Sequence, residues 1–304
     1  MHVNSGWSWG SLSYTESAVL VAFIVLLLVN LKGVVGVWHV RLFKGLCTQY
    51  ILAARERTST SKAEQQAKTN FNGPRNDPSK PTPAAPKNPP RLTSYLVTTH
   101  RNAPIDCDYN MHKSNSTFFA DLDINRAQLL LRLFGGFPRW APAPATPTGT
   151  SSQSSKGGRS KETERSLNVA LGGVSCVFKR EIKPFQRFEI WSRVLGWDGK
   201  WVFVASYFVK AGIRVSGRGS DGGLDWSKDI LATSLSRYVF KDGRVTVRPV
   251  DVLRFNGLLE GVADGGAEGF GEEIKGAGLF DGLDALPGLF EPGRFGVLGR
   301  YSDL

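Results

Sequence analysis

The run from 117 to 134 constrains this chain more than any other stretch. Phe118, Leu122, Leu129 and Leu133 recur at helical spacing, and Phe119, Leu130 and Phe134 widen the apolar face. A helix with so broad an apolar face must be buried on several sides. Asp121 and Asp123 fall in its first turns, where the helix dipole favours negative charge.

The segments around this helix read as strands. Residues 92–99 (LTSYLVTT) are rich in β-branched and aromatic side chains, and 167–179 is a second extended run. Residues 186–197 alternate, with Phe188, Ile190 and Val194 on one face, and 200–209 (KWVFVASYFV) follows across Asp198-Gly199. An Asp-Gly pair between two such runs signals a hairpin. Residues 231–241 form the next strand, and Asp242-Gly243 turns it towards 245–247. One apolar helix followed by antiparallel strands predicts an α+β fold in which a sheet wraps around the helix.

The remaining sequence divides around this unit. Seven prolines fall between Pro74 and Pro90, a Pro/Ser/Thr-rich insert spans 138–166, and the segment 258–304 is glycine-rich and acidic. By composition these stretches lack the apolar content to offset the entropy of ordering their backbone. The predicted organisation is an amino-terminal segment 1–40, a basic and then Pro-rich linker 41–90, a domain 91–257 interrupted by the insert, and a tail 258–304.

The formal net charge is +11, but its distribution argues against a nucleic-acid partner. Positive charge concentrates just after a hydrophobic segment, which fits attraction to an anionic leaflet at about 1 kcal/mol per residue. Residues 17–31 (SAVLVAFIVLLLVNL) carry no charge. Fifteen residues are too short to span a bilayer, but about 18–40 would suffice if Lys32 snorkels. No Lys or Arg precedes this segment, whereas Lys32, Arg41, Lys44, Arg55 and Arg57 follow it. The expectation is a single-pass membrane anchor with the main domain on the cytosolic side, preferred over a cleaved signal peptide, which needs a basic start, and over a buried core helix.

Cys47, Cys107 and Cys176 have neither metal-ligand nor disulfide-framework spacing, which suits a reducing compartment. The histidines His2, His39, His100 and His112 are widely scattered, so neither a metal nor a cofactor is expected. Gly6-Trp7-Ser8-Trp9-Gly10 matches a nucleophile elbow without its strand-turn-helix context, and Gly217 to Gly222 matches a dinucleotide motif with no helix after it. Both are set aside.

The chemistry concentrates in the residues 105–116, IDCDYNMHKSNS, which lead into the helix. Asp106, Asp108 and His112 stand just before a helix start, whose unpaired N–H groups can hold developing negative charge. Acidic residues in such a turn are often only structural, and Cys107 reads as a packed thiol.

Asp106-Cys-Asp-Tyr-Asn-Met-His112-Lys-Ser-Asn115-Ser116, followed by Phe118-Phe119 and an apolar helix, resembles the D-x-D-x-x-x-H-x-N-N-x signature of hotdog-fold acyl thioesterases of the 4-hydroxybenzoyl-CoA thioesterase type. The stretches from Phe188 to Phe208 and from Tyr238 to Arg244 look like the membrane-anchored branch of that superfamily and its fungal relatives. The likeness covers 94–257 without the insert.

The resemblance implies that Asp108 attacks a thioester carbonyl or activates a water, while N–H groups at the helix start polarise that carbonyl. It places Asn115 and Ser116 as cap and substrate contacts, His112 beside the turn or the substrate, and Asp106 in a supporting role. Ser114 departs from the pattern, standing where the first of two asparagines is usual. The implied substrate is an acyl-CoA or acyl-carrier-protein thioester, in a fungal polyketide or lipopeptide pathway or in ordinary lipid metabolism, and the implied assembly is a homodimer. The competing expectation is a non-catalytic acyl-binding or scaffold protein that keeps the fold.

Overall fold

In the computed structural model, residues 13–70, 91–141, 164–212, 228–259, 286–290 and 296–303 are described. The two motifs set aside above, and most of the Pro/Ser insert, lie outside these residues.

Helix α1 (Tyr14–Val29) begins at a capping box. Ser13 Oγ accepts from the Glu16 N–H, and the Glu16 carboxylate accepts from the Ser13 N–H at 2.8 Å. The helix ends at Asn30, a short 3-10 turn covers Leu31–Gly33, and Gly36 takes φ +85° before α2 (Val37–Asn70) starts. This break corrects the expected anchor at 18–40. Sixteen residues rise about 24 Å, short of a bilayer core of about 30 Å. Lys32 does not snorkel but turns inward, 3.5 Å from Asp121 and 3.6 Å from Asp106. Among the described residues no helix is long and apolar enough to cross a membrane, so the single-pass anchor and the cytosolic placement derived from it are withdrawn.

Seven strands make the main sheet, in the order β4 (Asn168–Phe178), β7 (Ile230–Asp242), β6 (Val202–Lys210), β5 (Arg187–Trp197), β1 (Tyr95–Arg101) and β9 (Val297–Ser302), with β8 (Val245–Val247) off β7. All pairings are antiparallel except β1 with β9. The two-residue strands β2 (Arg139–Trp140) and β3 (Arg165–Ser166) pair at the base of the insert. The sheet wraps around α3 (Asn115–Phe134), which ends on Gly135 in the left-handed conformation. This is the α+β arrangement expected, with the helix start two residues earlier than the apolar period predicted.

Alternation along the strands explains the packing. Leu96, Phe188, Ile190, Val194, Val204 and Phe208 join Phe118, Leu122, Leu129 and Leu133 of α3 in the inner core. Their neighbours Tyr95, Val97, Trp191, Leu195, Phe203 and Tyr207 point to the other face, which is also buried. Burial on both faces is why β6 reads as nearly continuous apolar sequence.

Two stretches read as linker and tail join the packing. Leu286 and Phe290 seal the outer face against Tyr95 and Trp191, and β9 extends the sheet beside β1. Helix α2 packs along α3, where Gly45 lets it approach Gln128, Gln49 donates to Gln128 at 3.1 Å, and Arg57 donates to the carbonyls of Phe134 and Gly135. The carbonyl ends of α3 are thus satisfied by a neighbouring helix.

Candidate active site

Asn102 fixes the loop between β1 and α3, donating to the carbonyls of Ile182 and Lys183 at 3.0 and 3.1 Å. Beyond a 3-10 turn at Pro104–Asp106, Cys107 and Lys113 pair as an isolated bridge. Within it the Asp108 N–H donates to the His112 carbonyl, and the Met111 N–H to the Asp108 carbonyl, both at 3.0 Å. Met111 takes φ +59°, an uncommon left-handed value for a non-glycine residue.

This tight turn brings Asp108 and His112 together. Asp108 Oδ1 accepts from the Asn110 N–H at 2.9 Å and lies 3.6 Å from His112 Nδ1, and both side chains are about a quarter exposed (27% and 25%). The Ser114 N–H donates to the Asp106 carbonyl at 2.8 Å, and Thr117 Oγ1 donates to the Ser114 carbonyl. Ser114 is the N-cap residue of α3 but makes no side-chain cap bond. Asn115 and Ser116 are exposed at the helix start, where the first N–H groups have no intrahelical acceptor. A cavity of about 200 Å³ opens here, lined by His112, Asn115, Phe118, Phe178, Lys179 and Arg180, with Lys113, Glu181 and Ile182. Asp108, Asp106 and Ser116 are not part of its lining.

Asp106 faces the other way. Its side chain is mostly buried, 3.6 Å from Lys32 and 3.8 Å from Lys113, at the edge of an ionic network that sequence reasoning missed. Lys113 Nζ, fully buried over the rings of Phe118 and Phe188, donates to Asp121 at 2.8 Å. Asp121 also pairs with Arg41 at 2.6 Å, and Arg41 with Asp303. Asp303 meets His100 Nδ1 at 2.9 Å, and His100 Nε2 meets Thr98 Oγ1 at 2.7 Å.

Burial would raise Asp121, but Lys113, Lys32, His100 and Arg41 outweigh it and hold the carboxyl well below its usual range. Burial likewise opposes ionisation of Asp303, yet hydrogen bonds from His100 and Arg41 bring it down to about 2. The sequence hint was Asp121, one position before Leu122 on the apolar face of the helix. Nothing local marks Asp303, which is 262 positions from Arg41.

His100, Asp121 and Asp303 present ligand atoms within 4.8 Å of one another. The donor set does not fit a metal ion, because Arg41 already bridges both carboxylates and Lys113 occupies Asp121. A divalent ion would have to displace both. Burial raises the Cys107 thiol above its ordinary value, so the cysteine inside the motif is poorly suited to nucleophilic attack.

A sheet curled around one buried helix is the hotdog arrangement of a domain. The chain matches no protein-family model. It is 43% identical to "Probable thioesterase atnL" of Emericella nidulans over 93% of this chain and 91% of that one. It is 38% identical to "Thioesterase poxG" of Penicillium oxalicum over 68% of this chain and 76% of that one. Among solved structures, a 4-hydroxybenzoyl CoA thioesterase mutant complexed with 4-hydroxybenzoyl CoA is 13% identical, covers 53% of this chain and 97% of its own, and gives a TM-score of 0.36. The chain belongs to the same family as these fungal thioesterases.

Proposed function

We propose that this protein hydrolyses an acyl thioester of coenzyme A or of an acyl carrier protein, with Asp108 as the catalytic carboxylate. The observation that carries the reading is the Asp108–His112 pair, 3.6 Å apart, at the entrance to α3. Asp108 either attacks the thioester carbonyl or takes a proton from an attacking water, and His112 orients it. The N–H groups of Asn115 and Ser116 face the developing oxyanion, and Asn115 contacts the substrate from the cavity wall. A thiolate is a good leaving group, so this chemistry needs no serine nucleophile. Asp106, turned towards Lys32 and Lys113, supports the loop.

Fungal secondary metabolism, of the polyketide or lipopeptide kind, is the proposed setting, supported by the fungal relatives named thioesterases. A homodimer belongs to the same reading. Strand β4 ends the sheet, and Ala170, Leu171 and Gly172 along it are exposed, so a second copy can pair there.

The test compares the full chain with Asp108→Ala on a panel of acyl-CoA and acyl-carrier-protein thioesters. Loss of about 100-fold or more in kcat is expected. Equal turnover would remove Asp108 from the mechanism. A second reading, a non-catalytic acyl-binding protein, is favoured by one observation: Asp108 is tied to the Asn110 N–H and is not part of the cavity lining. Ligand binding without turnover at any chain length would establish it.

A further inference from the structure

A second cavity, of about 370 Å³, lies between α2, the carboxyl-terminal half of α3 and the edge of the sheet. Its walls are apolar: Leu42 and Leu46 of α2, Ala127 and Leu131 of α3, and Val169 and Leu171 of β4. Two polar groups reach it. Asp123 sits at the solvent side, about half exposed and paired with Arg126 at 2.6 Å. Tyr238 stays neutral, its phenol pushed up to about 12 by burial. With no buried charge to offer, the cavity suits an uncharged aliphatic group and penalises a polar one.

Its position says which group. Ser116, Ala120, Asp123 and Ala127 follow one another at i, i+4, i+7 and i+11, so they share one face of α3. That face runs from the helix start beside the Asp108 loop to the cavity, and Ser116 to Asp123 is a rise of about 10 Å. Trp38 of α2, part of the cavity wall, lies on this face with its indole N–H 3.5 Å from the Ala120 carbonyl.

We propose that the cavity walled by α2 receives the tail of an aliphatic acyl chain whose thioester lies at the start of α3. This rests on the hydrolytic site proposed above. It adds that α2, which lies outside the wrapped sheet and helix, selects substrates by chain length through Leu42 and Leu46. The substrate class is then a linear, saturated or sparsely functionalised acyl group rather than a short or aromatic one.

The test uses free carboxylates and the full chain, so that it reads binding without chemistry. Octanoate, decanoate and dodecanoate are titrated by calorimetry into the wild type, Ala127→Trp and Leu46→Trp. Each added methylene is expected to strengthen wild-type binding about four-fold. Either tryptophan should fill the cavity and weaken dodecanoate at least about ten-fold, with octanoate affected less. If Ala127→Trp does not fold, Leu46→Trp, on the half-buried face of α2, decides. Affinity independent of chain length, or variants that bind dodecanoate like the wild type, would overturn the proposal. So would variants that change the oligomeric state instead, because a second copy would then be the occupant. Chain-length-dependent binding with no hydrolysis of any thioester would leave the cavity standing and remove the enzyme.

Discussion

Asp106 and Asp108 are two positions apart in one motif, yet they do different things. The pleat of the short loop sends Asp106 inward to Lys32 and Lys113, and Asp108 outward to His112. The motif was legible in the sequence, but that division was not, because it depends on Lys32 and on a lysine, Lys113, of a type that is almost never buried unless paired. Asp303 was still less legible. Its folded pKa of about 2 lies below the ordinary aspartate value of about 3.9. A depressed carboxylate stabilises the fold above its unfolded pKa and loses that contribution as pH falls through the folded one. Stability should therefore drop by about 2 kcal/mol between roughly pH 4 and pH 2 from this group, with Asp121 acting in the same direction. Asp303→Asn, which leaves buried Arg41 undercompensated, should cost about 3 kcal/mol at neutral pH and flatten that acid dependence. Urea unfolding of both proteins across this pH range measures it.

At the scale of elements, the period of 117–134 and the Asp-Gly pairs were enough to find α3 and both hairpins. The β5–β6 turn is longer than two residues, because Asp198 Oδ1 accepts from the N–H groups of Lys200 and Trp201 and its own N–H donates to the Trp201 carbonyl. Trp201 then lies over β4, where the register shifts between Leu171 and Gly173. A Cβ on Gly172 would stand 2.0 Å from the Trp201 ring, so Gly172→Ala should destabilise by about 1 to 3 kcal/mol, read from denaturant midpoints. Hydropathy misjudged the amino-terminal helices for a different reason. It sums apolar content along 18–40 but does not register that Asn30 and Gly36 interrupt the backbone, or that Lys32 has an acidic partner in Asp121, 89 positions away.

For the molecule as a whole, the sequence pattern predicts a sheet wrapped around one helix, and the sheet is also buried on its other face. The outer layer comes from few side chains in a glycine-rich stretch, so bulk composition concealed it. Phe290 packs edge-on to Tyr95 and Trp191 at ring separations of 5.8 and 5.7 Å, and against Tyr207 at 4.8 Å. Phe290→Ala should cost about 3 to 5 kcal/mol, and a red shift of tryptophan emission would mark the wetting of Trp191. The same closure has a consequence for synthesis. Arg41 leaves the ribosome 262 residues ahead of Asp303, a lag of roughly 10 to 50 s at ~5–20 residues per second. From the completion of β7 at Asp242 until Phe290 is made, the nascent sheet holds an uncapped aromatic face and Arg41 has Asp121 but not yet Asp303, which makes the protein a client for chaperones that shield hydrophobic surface until translation delivers the sealing segment.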